Sequence, residues 1–453
     1  MSTSNTHFDK SYLRSLLLRK NCTLTLLGIG GVSLSAIAQS LALRSVRVKG
    51  YDSTPSPITS FLMEQGIFVT FDPLDPTLLK TDAVVYSLAI SEDHPTVRGA
   101  KERGIPLISR ADLLGAILLD FPRRVSVGGT HGKSTTTAIL YHLLSCAAHS
   151  PTVFCGAPIG GSCFHKGQGD TVIAEACEYG RSLLCFDSTL AVLTSLELDH
   201  TDTYSSISDL RSTFRTFLSR ARWALVCTEV QDFGSLVDPA VPLTTYGFSP
   251  DADFSCQITR FFDTGVAFSI KNNGFTHQAY LPMLGSHNAS NATAAVAAAA
   301  LLGVPLKDSI PHLRSFPGLH RRLTRLNNPH LPTYYDYGHH PTEITEAISA
   351  LAHLPKPLTV IFRPHTFTRT RDLMDGFASA LRLADRSFIL PIYPAREAPI
   401  QGVTSEALAH RVGMTSAAID FPEAARLLPT LKDGSLLLIG AGDMSPLLPL
   451  VDP

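Results

Sequence analysis

At 453 residues the chain is longer than one hydrophobic core serves, so two or three domains are expected. Its 38 Lys and Arg against 39 Asp and Glu leave a formal charge of −1, which excludes the electrostatic profile of a nucleic-acid or membrane-surface binder. A small polar or anionic metabolite is the better partner. Eight cysteines lie scattered without CxxC spacing, so no zinc ribbon or redox motif is readable, and reduced thiols in a cytoplasmic protein are expected.

A polar start and a helix-like piece over residues 8–20 come first. Residues 22–43 then run without a charge, behind Arg14, Arg19 and Lys20, which imitates a signal sequence or a membrane span. The stretch TLTLLGIGGVSLSAIAQSLAL reads instead as strand, glycine turn and amphipathic helix, because glycines and hydroxyls interrupt the apolar run. SVRVKGYD and DAVVYSLAI follow as strands with helices between. Continuous Val/Ile/Leu strands alternating with helices predict an α/β fold with parallel sheets covered on both faces.

RRVSV restarts the alternation and sets a boundary near residue 122. The second domain, 123–316, carries strands at VIAEAC and LAVLTSLELDH, a β-rich stretch over 242–282, and the alanine-rich helix NASNATAAVAAAALLG. A third, 317–453, has strands at PTYYDY, LTVIFRP, SFILPIYP and SLLLIGAG, with helices such as EITEAISALAHL.

The stretch SVGGTHGKSTTTAIL joins strand RRVSV to a helix. Glycines let backbone N–H groups turn inward around phosphate oxygens, Lys133 reaches the β/γ-phosphates and Ser134 can hold Mg²⁺. The common spacing G-x-x-x-x-G-K-[ST] would require glycine at 127, where Val127 stands. The order G-G-T-H-G-K-S-T-T resembles the phosphate loop of the Mur ligase superfamily, whose glycine falls two positions later. That resemblance extends over nearly the whole chain. It implies three domains: a Rossmann-like N-terminal domain (1–122) for a UDP sugar, a central P-loop ATPase-like domain (123–316) and a Rossmann-like C-terminal domain (317–453) for an amino acid. It also implies ATP and Mg²⁺, UDP-N-acetylmuramate and L-alanine as substrates, no nucleic acid or membrane, and a monomer or weak dimer.

Carried onto matching positions, the resemblance makes Gly129, Thr130, His131, Gly132, Lys133, Ser134 and Thr135 the triphosphate cradle. It makes Ser134, Glu175 and His200 the Mg²⁺ ligands. Without it, His200 reads better as a structural loop histidine, since a hard cation favours oxygen. GSHNASNATAA resembles the adenine-contacting segment, through His287, Asn288 and Asn291; asparagines there also suit helix capping. LGIGGVSLSAIA resembles the UDP-sugar signature through Gly28, Gly30, Gly31 and Ser33, with Asp52 about twenty residues on. Read alone it is a degraded dinucleotide fingerprint, equally compatible with a tight turn or a nicotinamide site.

In the third domain the resemblance assigns Arg322 to the transferring phosphoryl group, Asp336 to the ribose, and Tyr337, His339, His365 and Arg369 to the alanine, with His339 or His365 as proton acceptor. Four positions depart from the family pattern: Ser33 for glycine, Cys177 for an acid, Ser195 for asparagine and Thr366 for an arginine. The expected chemistry is ATP-dependent amide-bond formation through an acyl phosphate, with closure of the third domain keeping water out. The alternatives are the branch that transfers a murein tripeptide, a nicotinamide-dependent oxidoreductase and a P-loop switch.

Overall fold

The structure, a computed structural model, describes residues 8–452. Within it the chain forms two compact units. One runs to Asp253 and takes in Ala294–Ser309; the other holds Phe254–Thr293 and continues from Ile310.

The first unit opens with helix α1 (Lys10–Leu17), shorter than the 8–20 expected. It then alternates β1 (Thr23–Leu27), α2 (Val32–Ala42), β2 (Arg47–Tyr51), α3 (Pro57–Glu64), β3 (Phe68–Thr70), β4 (Ala83–Tyr86), α4 (Pro95–Glu102), β5 (Leu107–Ser109) and α5 (Arg110–Leu118). All five strands are parallel, in the order β3-β2-β1-β4-β5. Leu24, Leu26 and Leu27 are fully buried, as a strand covered on both faces requires. The uncharged stretch 22–43 is therefore a buried strand, a turn and an eleven-residue helix. Among the described residues no helix is long and apolar enough to cross a membrane.

The same unit continues with β6 (Arg123–Gly128), α6 (Lys133–Cys146), β7 (Thr152–Ile159), β8 (Ser162–His165), β9 (Thr171–Glu175), β10 (Leu190–Leu193), α7 (Ile207–Ser219), β11 (Ala224–Cys227) and β12 (Leu243–Gly247). Their order is β12-β11-β10-β6-β9-β7-β8, parallel apart from β8. Strand β6 is thus central, and everything leaving its carboxyl end lies where open α/β sheets bind ligands.

The second unit begins with an antiparallel meander, β13 (Phe254–Phe262), β14 (Gly265–Asn272) and β15 (Phe275–Leu281), which is the β-rich stretch expected near 242–282. Helix α8 (Ser286–Leu301) follows, its residues from Ala294 onward and the single turn α9 (Leu306–Ser309) being counted with the first unit. The remaining elements are β16 (Thr324–Leu326), β17 (Thr333–Asp336), α10 (Pro341–Ala350), β18 (Leu358–Phe362), α11 (Phe367–Asp372), α12 (Met374–Leu381), β19 (Arg386–Ile389), α13 (Ser405–Val412), β20 (Ser416–Ala418), α14 (Phe421–Leu427) and β21 (Ser435–Ile439). They build a six-stranded sheet, β16-β17-β21-β18-β19-β20, with only β16 antiparallel. Every residue of β18 and β21 is buried, which makes this pair the spine of the unit.

Candidate nucleotide and substrate site

The loop after β6 is held open by its neighbours. Gly129 has φ +138°, and a Cβ there would meet the Thr194 hydroxyl at 2.1 Å, so no side chain fits. Gly132, at φ +82°, turns the chain into α6. Ser195 accepts a hydrogen bond from the His131 N–H at 2.7 Å, and Thr130 exchanges hydrogen bonds with the Glu197 backbone at 2.9 Å in both directions. The segment after β10 is the scaffold on which the loop is moulded. Ser195, one of the four departures, is a fastener of that scaffold. Thr135 is buried in the first turn of α6.

Lys133 lies buried at the centre of this loop. Its ammonium donates to the Gly129 carbonyl at 2.6 Å and the Thr130 carbonyl at 2.9 Å, and pairs with Glu178 at 3.0 Å. Burial pushes the lysine pKa down, but the field of Glu178 above all, with Glu175, outweighs it and leaves the group raised and charged. Burial likewise pushes Glu178 up, and Lys133 with His200 holds it below the ordinary carboxylate range. Sequence reasoning missed Glu178. It stands in AEACEYG beside Glu175, and nothing in spacing distinguishes the carboxylate that turns toward the lysine from its neighbour.

Glu175 accepts from the Ser134 hydroxyl at 2.7 Å and from the Gly156 N–H at 2.8 Å. His200, at φ +54°, sits with Nε2 at 3.5 Å from Glu178 and its ring 5.0 Å from that of Tyr179. The structure therefore brings Ser134, Glu175 and His200 to one locality around Lys133. Two oxygen donors side by side suit a divalent hard cation. Cys177 carries a thiol raised to about 11, by burial first and Glu178 second, so it is neutral at pH 7.

At the carboxyl end of β1, Gly28 has φ +81° and Gly31 is the N-cap of α2. The Gly30 N–H donates to the Asp52 carboxylate at 2.8 Å, and the Ser53 N–H donates to the same group at 2.8 Å. Asp52 thus ties the turn to the end of β2. Ser33 accepts a 2.7 Å hydrogen bond from Arg110.

In the second unit, Asn288 donates to the Leu284 carbonyl at 2.7 Å and Asn291 to the Asn288 side chain at 3.3 Å; both are buried. His287 lies 3.3 Å from Glu346. Asp336, at the end of β17, accepts from the Leu323 N–H at 2.7 Å and the Gly338 N–H at 2.6 Å, and burial raises its pKa against the pull of Arg322. It pins the two turns that carry Arg322 and Tyr337. Arg322 stands 5.4 Å from the centre of the Tyr337 ring. The Tyr337 ring packs 5.2 Å from His339, and His339 packs 6.2 Å from His365.

Arg369 lies 3.3 Å from Nδ1 of His365, whose ring stacks on Tyr393 at 5.5 Å. Burial first and Arg369 second push His365 down to about 4, so it is a neutral imidazole at pH 7. Thr366 takes φ +66° and donates its N–H to the Tyr393 carbonyl at 2.8 Å. Sequence reasoning missed Glu397 as well. It accepts the Thr368 N–H at 2.8 Å and the Thr368 hydroxyl, clasping the start of α11 to the loop after β19.

A parallel sheet whose central strand ends in a glycine-rich loop around a buried lysine, with hydroxyl and carboxylate beside it, defines a nucleotide-binding α/β protein of the phosphate-loop class. Three family models match in sequence: the Mur ligase family catalytic domain over 23–122, the Mur ligase middle domain over 127–299 and the Mur ligase glutamate ligase domain over 321–442. The chain belongs to the Mur ligase family. It is 36% identical over 395 residues to the UDP-N-acetylmuramate–L-alanine ligase of Geobacter sp. (strain M21), covering 85% of this chain and 86% of that one. It is 33% identical over 436 residues to the enzyme of the same name from Christiangramia forsetii, covering 92% and 94%. The fold superimposes on the UDP-N-acetylmuramate–alanine ligase of Thermotoga maritima with a TM-score of 0.78 at 24% identity, covering 93% of this chain and 96% of that one. A murein peptide ligase from Psychrobacter arcticus gives 0.68 at 18% identity, covering 93% and 96%. The three-domain α/β ligase fold is thereby shown.

Proposed function

We infer that the chain joins L-alanine to the lactyl carboxylate of UDP-N-acetylmuramate, with ATP hydrolysed to ADP and phosphate. The observation that carries this is the likeness to alanine-adding ligases over 85–92% of the chain, together with a buried, charged lysine at the core of a phosphate loop. The sugar carboxylate attacks the γ-phosphorus; the bond to the bridging oxygen breaks and ADP leaves. The alanine amine then attacks the acyl phosphate carbonyl and inorganic phosphate departs.

Gly129 to Thr135 cradle the triphosphate, with Lys133 leaving Glu178 in part to follow the negative charge. Gly28, Gly30, Gly31, Ser33 and Asp52 form the UDP-sugar turn, and His287, Asn288, Asn291 and Asp336 serve the nucleoside. Arg322 meets the charge on the transferring group. Arg369 holds the alanine carboxylate, in company with Tyr337 and His339, and His365, neutral beside it, takes the ammonium proton. Ser134 and Glu175, two oxygens 2.7 Å apart, with His200, fit Mg²⁺. When bound there the ion neutralises charge on the phosphate oxygens. Domain limits at 122 and 316 fit this division of labour. A cytoplasmic location agrees with eight free cysteines and an ATP-consuming reaction, and the chain is proposed to act as a monomer or weak dimer.

Phosphate release is the test, measured with ATP, UDP-N-acetylmuramate and L-alanine and with each omitted in turn. Release is expected only with all three present. Turnover with a murein tripeptide but not with L-alanine would move the chain to the recycling branch, and release indifferent to the sugar would overturn the reading.

A further inference from the structure

Within the second unit the chain runs from the end of β19 at Ile389 to the start of α13 at Ser405 without a regular helix or strand. A connection of this length inside a compact fold generally serves function. It lies against the first turn of α11. The Thr366 N–H donates to the Tyr393 carbonyl, and the Tyr393 N–H to the Pro364 carbonyl, each at 2.8 Å. The Glu397 N–H then closes a turn on the Pro394 carbonyl at 2.8 Å, with Ala395 at φ +50°. That turn presents the Glu397 carboxylate to Thr368, whose N–H it accepts at 2.8 Å through one oxygen and whose hydroxyl it accepts through the other.

Helix α11 needs this clasp. Its N-cap, Thr366, stands at φ +66° and ψ 147°, a conformation that strains any residue with a Cβ, and makes no side-chain cap hydrogen bond. The Thr368 N–H is one of the donors that a helix start leaves without an intrahelical partner. Glu397, 29 positions along the chain, supplies the acceptor that an N-cap side chain ordinarily gives. Packing does not replace it. Thr366, Phe367, Thr368 and Arg369 are only half-buried, and Phe367 lines a cavity of about 710 Å³ together with Ile392, Ile400 and Val403. Arg369 follows Thr368 directly and lies 3.3 Å from Nδ1 of His365. A guanidinium recognises a carboxylate through two parallel hydrogen bonds, so a tilt of the turn that carries it misaligns both.

We propose that Glu397 is a positioning residue for the amino-acid substrate. As the cap of α11 it fixes the turn from which Arg369 reaches the substrate carboxylate, and so acts through Arg369. The inference rests on the proposed function, since Arg369 there holds L-alanine.

Initial-rate kinetics of phosphate release by the full chain test it. Glu397→Ala is expected to lower kcat/KM for L-alanine roughly 10- to 100-fold, chiefly through KM, with KM for ATP and for UDP-N-acetylmuramate unchanged. Glu397→Gln, whose amide oxygen still accepts the Thr368 N–H, is expected to recover most of that loss. Thr368→Val, which keeps the N–H and loses the hydroxyl, should raise KM for L-alanine about 3- to 10-fold. If Glu397→Ala fails to fold, Glu397→Asp, one methylene shorter, carries the test with a smaller loss.

A double-variant cycle separates positioning from general support. In an Arg369→Met background, Glu397→Ala is expected to lower kcat/KM for L-alanine by less than about 2-fold more, because the side chain it positions is already gone. Fully additive losses, equal rises in all three KM values, or a Glu397→Gln variant no better than Glu397→Ala would make Glu397 a fastener of the domain alone and overturn the inference. An unchanged KM for L-alanine in Glu397→Ala overturns it too, and leaves the function intact. Wild-type protein that releases no phosphate with ATP, UDP-N-acetylmuramate and L-alanine all supplied overturns the functional reading itself.

Discussion

Lys133 and Glu178 are a buried ion pair, and that makes each a liability without the other. Truncating Lys133 strands a desolvated carboxylate, so Lys133→Met is expected to cost about 3–5 kcal/mol of stability in urea unfolding. It should also lower kcat by roughly 10²- to 10³-fold through lost phosphate stabilisation. In the double variant Lys133→Met/Glu178→Gln most of the stability should return and none of the activity; additive stability losses would mean that the pair is not coupled. His365 supplies a pH signature. Its folded pKa is about 4, below the ordinary histidine value of about 6.5, because burial and Arg369 disfavour the cation. Between those values the unfolded chain takes up a proton that the folded chain refuses. The contribution is therefore complete above pH 6.5 and is lost as pH falls toward 4. His365→Gln should flatten the stability profile in that window. If His365 is the proton acceptor, the acid limb of kcat should fall near pH 4 rather than 6.5, and this variant should remove it.

At the scale of elements, the phosphate loop is a cast taken from the segment after β10. Thr194 and Ser195 hold His131 through its N–H and its carbonyl, so the loop's shape resides partly in residues more than sixty positions away. Ser195→Ala leaves the His131 N–H without its acceptor and is expected to raise KM for ATP about 5- to 10-fold, with KM for the UDP sugar unchanged. Equal rises in both would show a general loosening of the sheet. Gly129→Ala must displace Thr194 and should abolish nucleotide binding while the UDP sugar still binds. Much of this element is legible in the chain: the glycines, the lysine and the strand-to-helix context in SVGGTHGKS announce a phosphate loop. Its fastenings are not, because hydrogen bonds from Thr194 and Ser195 leave no periodicity in the chain. Helix α10 follows the same rule on a smaller scale. Within GHHPTE the resemblance assigns His339 to the alanine, whereas the neighbouring His340 is the N-cap of α10, with Glu343 closing a capping box.

Across the whole molecule, three family domains are matched along the chain, and its packing groups them into two compact units whose boundaries fall at Asp253, Thr293 and Ser309. Unfolding should therefore not be two-state. Scanning calorimetry is expected to resolve more than one transition, and ATP with Mg²⁺ at about a hundred times its dissociation constant should stabilise the protein by about 2.7 kcal/mol. A single transition whose calorimetric and van't Hoff enthalpies agree would contradict this.

The ligase chemistry was implied by the resemblance to the Mur ligase family, whereas composition, the alternation of apolar strand and helix, and short motifs in contiguous residues specified the α/β class and the phosphate loop. Those properties depend on local spacing, which the linear chain carries intact. Which of two nearby glutamates faces Lys133, that Asp52 and Asp336 pin turns, and that Ser33 meets Arg110 across 77 positions were settled when distant segments packed together. Burial then assigned each charge its partner, because an isolated charge out of water is too costly to remain alone.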